Sequence, residues 1–393
     1  MFNGLIDLPW WGYLLVVLGL THITIVSVTL YLHRYQAHRS LELHPLISHF
    51  FRFWLWLTTG MGTREWVAVH RKHHAKVESG EDPHSPQIEG INKVLWEGVE
   101  LYRIEAAKQE TLDQYGHETP DDWIERNVYS KYTFLGVTSM LFIDFILFGF
   151  IGVSIWAVQM IWIPFFAAGV INGVGHWRGY RNFESADAST NIIPFGILIG
   201  GEELHNNHHA FASSAKFSIK PWEFDLGWLY LRLLSASGFA RIKKLAPKPI
   251  LDSDNPLIDY DTVSAVITNR LHIMSDYARE VIGDVYKQEL HKANVSRRKL
   301  LRKGKKLISR ADNLLDKNSR ERLQTVLSHS DKLSIVYEFQ QSLQKIWQEK
   351  SASKELLVQQ LQDWCRHAEE TGIEALEEFA LRLRCYTLQP IPI

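Results

Sequence analysis

Apolar and polar positions divide this chain into two unlike parts. From Trp10 to Leu32 the residues are almost wholly apolar. About 20 such residues cross a bilayer as a helix, so the stretch predicts a first span with His33 at its end. From Tyr132 to Asn172 about forty residues run apolar, broken near Gly149 to Gly152. That pattern predicts two helices joined by a tight turn. Leu46 to Gly62 is apolar as well. If His38 and His70 serve one site, however, the 31 residues between them are too few for two crossings. Its Phe50, Phe51, Phe53, Trp54, Trp56 and Arg52 suit a helix lying in the interface. Ile192 to Gly201 is too short to span. The pattern therefore predicts three crossings in an all-α membrane protein.

The polar stretches read differently. Residues 75 to 132 hold Pro83, Pro86, Pro120 and a charged helical pattern around Glu97 to Glu110, which marks a connector. An amphipathic helix is expected from Trp222 through Leu234. Past Pro249 leucines recur at helical spacing among balanced charges, giving a membrane domain over 1–249 and a soluble helical extension over 250–393. Between Lys292 and Arg310 lie nine basic residues and no acidic one.

Composition narrows the chemistry. A hydrophobic fraction of 46% in 393 residues can bury a large core, and a net charge of -1 gives no global field for nucleic acid. Cys365 and Cys385 are the only cysteines, which excludes a disulfide framework and a cysteine metal site and fits a reducing compartment. No basic leader precedes the first apolar run, so no removable signal peptide is expected. Arg34 and Arg39 follow that run, and the excess of cytoplasmic Lys and Arg in membrane proteins places the first histidine box inside.

Histidines carry the candidate chemistry. His70, His73 and His74 recur in the same spacing as His205, His208 and His209. On a helix, residues at i, i+3 and i+4 share a face, so each triplet is expected to aim three imidazoles at a common point. His33 and His38 are five apart, well separated around an ideal helix, so His38 is expected just past a helix end. Eight histidines exceed one tetrahedral zinc twofold, and two metals are the natural reading. His176, with Asn172 one turn before it, offers a ninth ligand. Imidazole binds zinc, copper, nickel and iron, so ligand type alone does not name the metal. Glu65, Glu78, Asp82, Asp187, Glu202 and Glu203 are candidates to orient the rings. Burial is expected of Glu202 and Glu203, which follow an apolar stretch, and solvation of the others. His22 lies too deep in the first run to share the site and reads as a hydrogen-bonded core residue. Thr29, Met61, Trp66 and Trp177 are candidate lining for an apolar substrate.

The order His-x4-His, His-x2-His-His, Asn-x3-His, His-x2-His-His resembles the membrane-bound fatty acid desaturases, in particular the bacterial Δ9 acyl-CoA and acyl-lipid branch. Glu65-Trp66, Glu81-Asp82-Pro83-His84, Gly179-Tyr180-Arg181 and Gly201-Glu202 match as well, over roughly residues 10 to 240. The resemblance implies two non-haem irons in a cytoplasmic histidine-rich cap, held by His33, His38, His70, His73, His74, His176, His205, His208 and His209, with Asn172 reaching one iron through water. Asp82, His84, Glu202 and Asn206 would stand behind these ligands. It further implies dioxygen as co-substrate, an acyl chain on CoA or phospholipid, a separate ferredoxin, rubredoxin or cytochrome donor with its reductase, and a bacterial inner membrane. A hydroxylase on the same scaffold is the alternative, and a non-catalytic metal-binding protein the reading from another class.

Overall fold

Helix α1, Trp10–Ser27, carries no charged residue and runs on as a π-helix over Val28–Ala37. Together these 28 residues are long and apolar enough to cross a membrane. The next helix, α2 (Pro45–Thr58), starts with proline in its first turn and with the His44 side chain accepting from the Leu46 amide. Its 14 residues reach about 21 Å, short of the roughly 30 Å hydrocarbon layer. Then come α3 (Thr63–Lys76), α4 (Pro86–Glu89), α5 (Ile91–Ala106) and α6 (Gln109–Tyr115).

The second long apolar element is α7, Thr133–Ile163, extended by a π-helical stretch Pro164–Val174. It is a hairpin. Gly149 has φ 62° inside it, a conformation that favours glycine, and the chain reverses there. Trp156 Nε1 donates to Val137 O at 3.0 Å, and Gln159 Nε2 donates to Asp144 at 2.8 Å across the two arms. The amides of Leu5 and Ile6 donate to Ile146 O and Leu147 O and so back the turn. Glycine also lets α5 approach the π-helical stretch: a Cβ at Gly98 would meet Ala168 O at 2.4 Å.

Helix α8 (His205–Ala210) and α9 (Leu226–Ala236) complete the region, with Asp225 capping α9 through the Trp228 amide at 2.9 Å. Short strand pairs tie distant segments: β1 (Leu41–Leu43) runs antiparallel to β4 (Ala240–Ile242), and β2 (Phe195–Gly196) parallel to β3 (Phe224–Asp225).

A second unit follows: α10 (Tyr260–Thr268), α11 (Arg270–Asp276), α12 (Gly283–Lys292), α13 (Val295–Gly304), α14 (Lys317–Leu327), α15 (Asp331–Gln348), α16 (Lys354–Glu369) and α17 (Glu374–Arg384). β5 (Ile250–Leu251) pairs with β6 (Tyr386–Thr387). Its core gathers Tyr277, Val285, Leu301, Val336, Leu361 and Phe379, and Tyr277 satisfies its hydroxyl on Val336 O at 2.7 Å. This computed structural model describes residues 4–252, 257–310, 312–348 and 352–388. By its internal packing the chain splits into Met1–Arg181 with Asp187–Ala246, and Asn182–Ala186 with Pro247–Ile393.

Candidate metal centre

The π-helical turn solves the five-residue spacing of the first box. Bonds from i to i+5 bring such residues almost one above the other, and the His38 amide donates to His33 O. The two Nε2 atoms come to 3.1 Å. His38 does cap the helix as expected, but it is π-winding rather than a reversal of the chain that brings the rings together.

Neither triplet serves a single point. One group holds the ring nitrogens of His33, His38, His70, His74 and His208, and another those of His73, His176, His205 and His209; within each, the ligand atoms lie within 4.8 Å of one another. The helix explains the partition. Four residues on is about 40° past a full turn, whereas three is about 60° short, so i+3 and i+4 diverge by about 100°. His70 and His74 therefore face one group and His73 the other, while His205 and His209 face the second and His208 the first. Each triplet lends one ring across.

Carboxylates back four of the rings. His33 Nδ1 meets Glu202 at 2.7 Å, His73 Nδ1 meets Asp82 at 2.9 Å, His176 Nδ1 meets Glu78 at 3.2 Å and His209 Nδ1 meets Asp187 at 3.1 Å. A carboxylate that accepts from Nδ1–H leaves a lone pair on Nε2. Those Nε2 atoms nevertheless face other imidazole nitrogens: His33 to His208 at 3.1 Å, His73 to His176 at 3.2 Å. His176 and His73 both carry carboxylate partners, so their facing lone pairs repel unless a cation lies between. His209 Nε2 is buried without a hydrogen-bond partner. The donor set fits a metal pair, and it fits iron as imidazole also fits zinc or copper.

Glu78 and Asp187 correct the expectation of solvated acids, since both are held against histidines. Burial pushes Glu78 up to about 7. Burial likewise raises Asp187, but the charge and hydrogen bond of His209 outweigh it and hold this carboxyl far below the usual range. Asp82 behaves alike: burial is overcome by His73. Glu202 is pushed up to about 8 by burial, against the pull of Arg34. Glu203 is buried too, accepting from the Leu198 and Ile199 amides at 2.6 and 3.0 Å.

The other expected residues sit as follows. His84 stacks on His73 with ring centres 4.5 Å apart. Asn206 lies in α8 with its amide 3.4 Å from Ser189 Oγ. Asn172 lines a cavity beside His205. His22 bonds the Tyr230 hydroxyl at 2.7 Å, as expected of a core histidine.

That cavity encloses about 760 Å³. Its walls include Met61, Val137, Trp156, Met160 and Ile163, and it reaches His33, His70, His84 and His205. Trp66 forms part of the wall and stacks on His70 at 4.9 Å. Thr29 and Trp177 do not line it: Thr29 bonds Glu202 at 2.8 Å, and Trp177 is exposed.

Sequence reasoning missed the supports. Arg34, wholly buried, pairs with Asp225 at 2.8 Å and packs over the Phe217 ring. Gln87 donates to His176 O at 2.7 Å, and Arg71 donates to the carbonyls of Gln36 and Ala37 inside the first box. Arg34 and Arg71 were visible as charges inside histidine boxes, but their partners lie far along the chain.

A helical scaffold with two apolar elements long enough to cross a membrane thus presents two imidazole groups, able to hold metal, to an apolar cavity. The family model for fatty acid desaturase matches residues 8–236, and the chain belongs to that family. It is 29% identical over 230 residues to an sn-1 stearoyl-lipid 9-desaturase of Anabaena variabilis, covering 57% of this chain and 80% of that one. It is 30% identical to a Delta-9 acyl-lipid desaturase of Arabidopsis thaliana (60% and 76% covered) and 31% identical to an acyl-CoA 5-desaturase of Anemone leveillei (55% and 66%). A model described as transposase matches residues 262–388, a likeness confined to the second unit.

Proposed function

We propose that the chain is an oxygen-dependent desaturase that introduces a cis double bond, at Δ9, into a saturated acyl chain carried on CoA or phospholipid. The observation that carries this reading is the apolar cavity running up to the two imidazole groups. An unactivated methylene gives no acid, base or nucleophile a handle. Two irons with dioxygen would supply the oxidising power at that point.

His33, His38, His70, His74 and His208 would hold one iron, and His73, His176, His205 and His209 the other, with Asn172 reaching one of them through water. Glu202, Asp82, Glu78 and Asp187 keep the ring lone pairs turned inward. Met61, Trp66, Trp156 and Met160 exclude water and hold the chain against the site. A relative named as an acyl-CoA 5-desaturase supports the reading that the position varies within the family. The bond's position then follows from how far the acyl head sits from the imidazoles.

The first helix and the two arms of the α7 hairpin make three crossings. The site faces the cytoplasm of a bacterial inner membrane, where a ferredoxin, rubredoxin or cytochrome delivers electrons. Catalysis belongs to residues 1–249, and 250–393 form an added helical domain. Iron analysis of purified protein, with lipid profiling of an expressing host, tests the reading. Two irons per chain and new cis-9 monoenes are expected; iron-free protein, or hydroxylated chains instead of alkenes, would overturn it.

A further inference from the structure

The second unit carries a charge asymmetry that desaturation does not use. Helix α13 turns Leu301 and Gly304 inward, where Gly304 sits so close to Val326 that a Cβ would meet its Cγ2 at 2.5 Å. The opposite face holds Val295, Arg298, Lys299, Arg302 and Lys303, all exposed. Their spacing of i, i+3, i+4, i+7 and i+8 gathers them into one stripe. Lys305 and Lys306 continue it past the helix end.

The basic residues next to the stripe meet carboxylates: Arg297 pairs with Glu289, and Lys287 with Asp284. Among the described residues Arg298, Lys299, Arg302, Lys303 and Lys306 have no carboxylate within ion-pair distance, and none stands in the sequence from Lys292 to Arg310. A helix face that repels itself at this density is stabilised by an outside anion.

We infer that the α13 stripe binds an anionic lipid surface. The chain provides that surface, because the same polypeptide carries helices long and apolar enough to cross a membrane, and tethering keeps the stripe at a high effective concentration near it. Each Lys or Arg close to an anionic leaflet strengthens binding about fivefold. Val295, 88% exposed at the start of the stripe, adds an apolar side chain able to enter the headgroup layer. A single-stranded nucleic acid would call for aromatic platforms among the cations, and α13 contains no aromatic residue.

The test uses the full chain in nanodiscs of phosphatidylcholine alone or mixed with phosphatidylglycerol. A fluorophore is placed on Val295→Cys in a Cys385→Ser background, Cys365 being buried and unreactive. A lipid-attached quencher should quench it in the anionic discs and not in the neutral ones, and high salt should reverse the effect. Combined Arg298→Glu, Lys299→Glu, Arg302→Glu and Lys303→Glu should lower the quenching at least about tenfold. The milder pair Lys299→Gln and Lys303→Gln should lower it partway without disturbing the fold. Equal quenching in both discs would overturn the inference. So would a probe shielded by duplex DNA and indifferent to anionic lipid.

Discussion

The two units of this chain are built inside out with respect to each other. In the first, Trp10 and Phe134 are about four-fifths exposed while Arg34, Asp225 and His208 are fully or almost fully buried. In the second, Leu333, Val336, Leu361 and Cys365 are fully buried, and most of the charge lies outside. Lipid tolerates apolar surface and demands that buried polar groups find partners within the protein. Water makes the opposite demand. The first unit can therefore hold carboxylates and imidazoles in its interior, which is what a metal site made of neutral rings needs. The second fills its interior with apolar side chains and keeps most of its charge at the surface.

The contrast can be broken most severely at His73, whose ring crosses to the group opposite its neighbours. His73→Ala should abolish turnover and strip iron while leaving α10 to α17 intact; fully iron-loaded, active protein would remove it from the ligand set. Next comes the buried ion pair. Arg34→Met leaves Asp225 unpaired in the interior and should cost about 3–5 kcal/mol. Thermal unfolding should show the first unit melting earlier and the second unmoved, and a common shift of both would mean that they unfold together.

A mirror-image change probes the other unit. Leu361→Ala opens a cavity in its apolar core and should cost about 2–5 kcal/mol there, with iron per chain unchanged. Loss of iron in that variant would tie the site's integrity to the added domain. The mildest change is Glu202→Gln, which keeps an oxygen acceptor for His33 Nδ1 but replaces the carboxyl group with an amide. Metal affinity should fall about 10- to 100-fold, read by competition with a chelator, and an unaltered affinity would reduce Glu202 to a spacer.

Much of this architecture is legible in the order of residues. The long apolar runs at Trp10 and Tyr132 and the break at Gly149 follow from length and hydropathy, because a bilayer fixes how many residues a helix needs, while α2 is read as non-spanning only because His38 and His70 must share one side. The nine histidines are also legible, since donor identity is written in the side chain. Other features were hidden for definite reasons. An ideal helix separates His33 from His38, and only the π-helical turn, which depends on packing, reunites them. Glu78 and Asp187 look like solvent-facing acids until the fold sets them against His176 and His209.

The sequence by itself determined which atoms can bind a metal and which segments can enter lipid, since both are properties of side chains and of their local spacing. Tertiary structure alone decided how the rings are shared. The angle between successive helical positions points His73 and His74 in different directions, but which group each joins depends on α8 arriving opposite α3. The Arg34 to Asp225 pair, 191 residues apart in sequence, is of the same kind. Its partner choice follows from which charges are shut away from water together, and that is known only once the chain has folded.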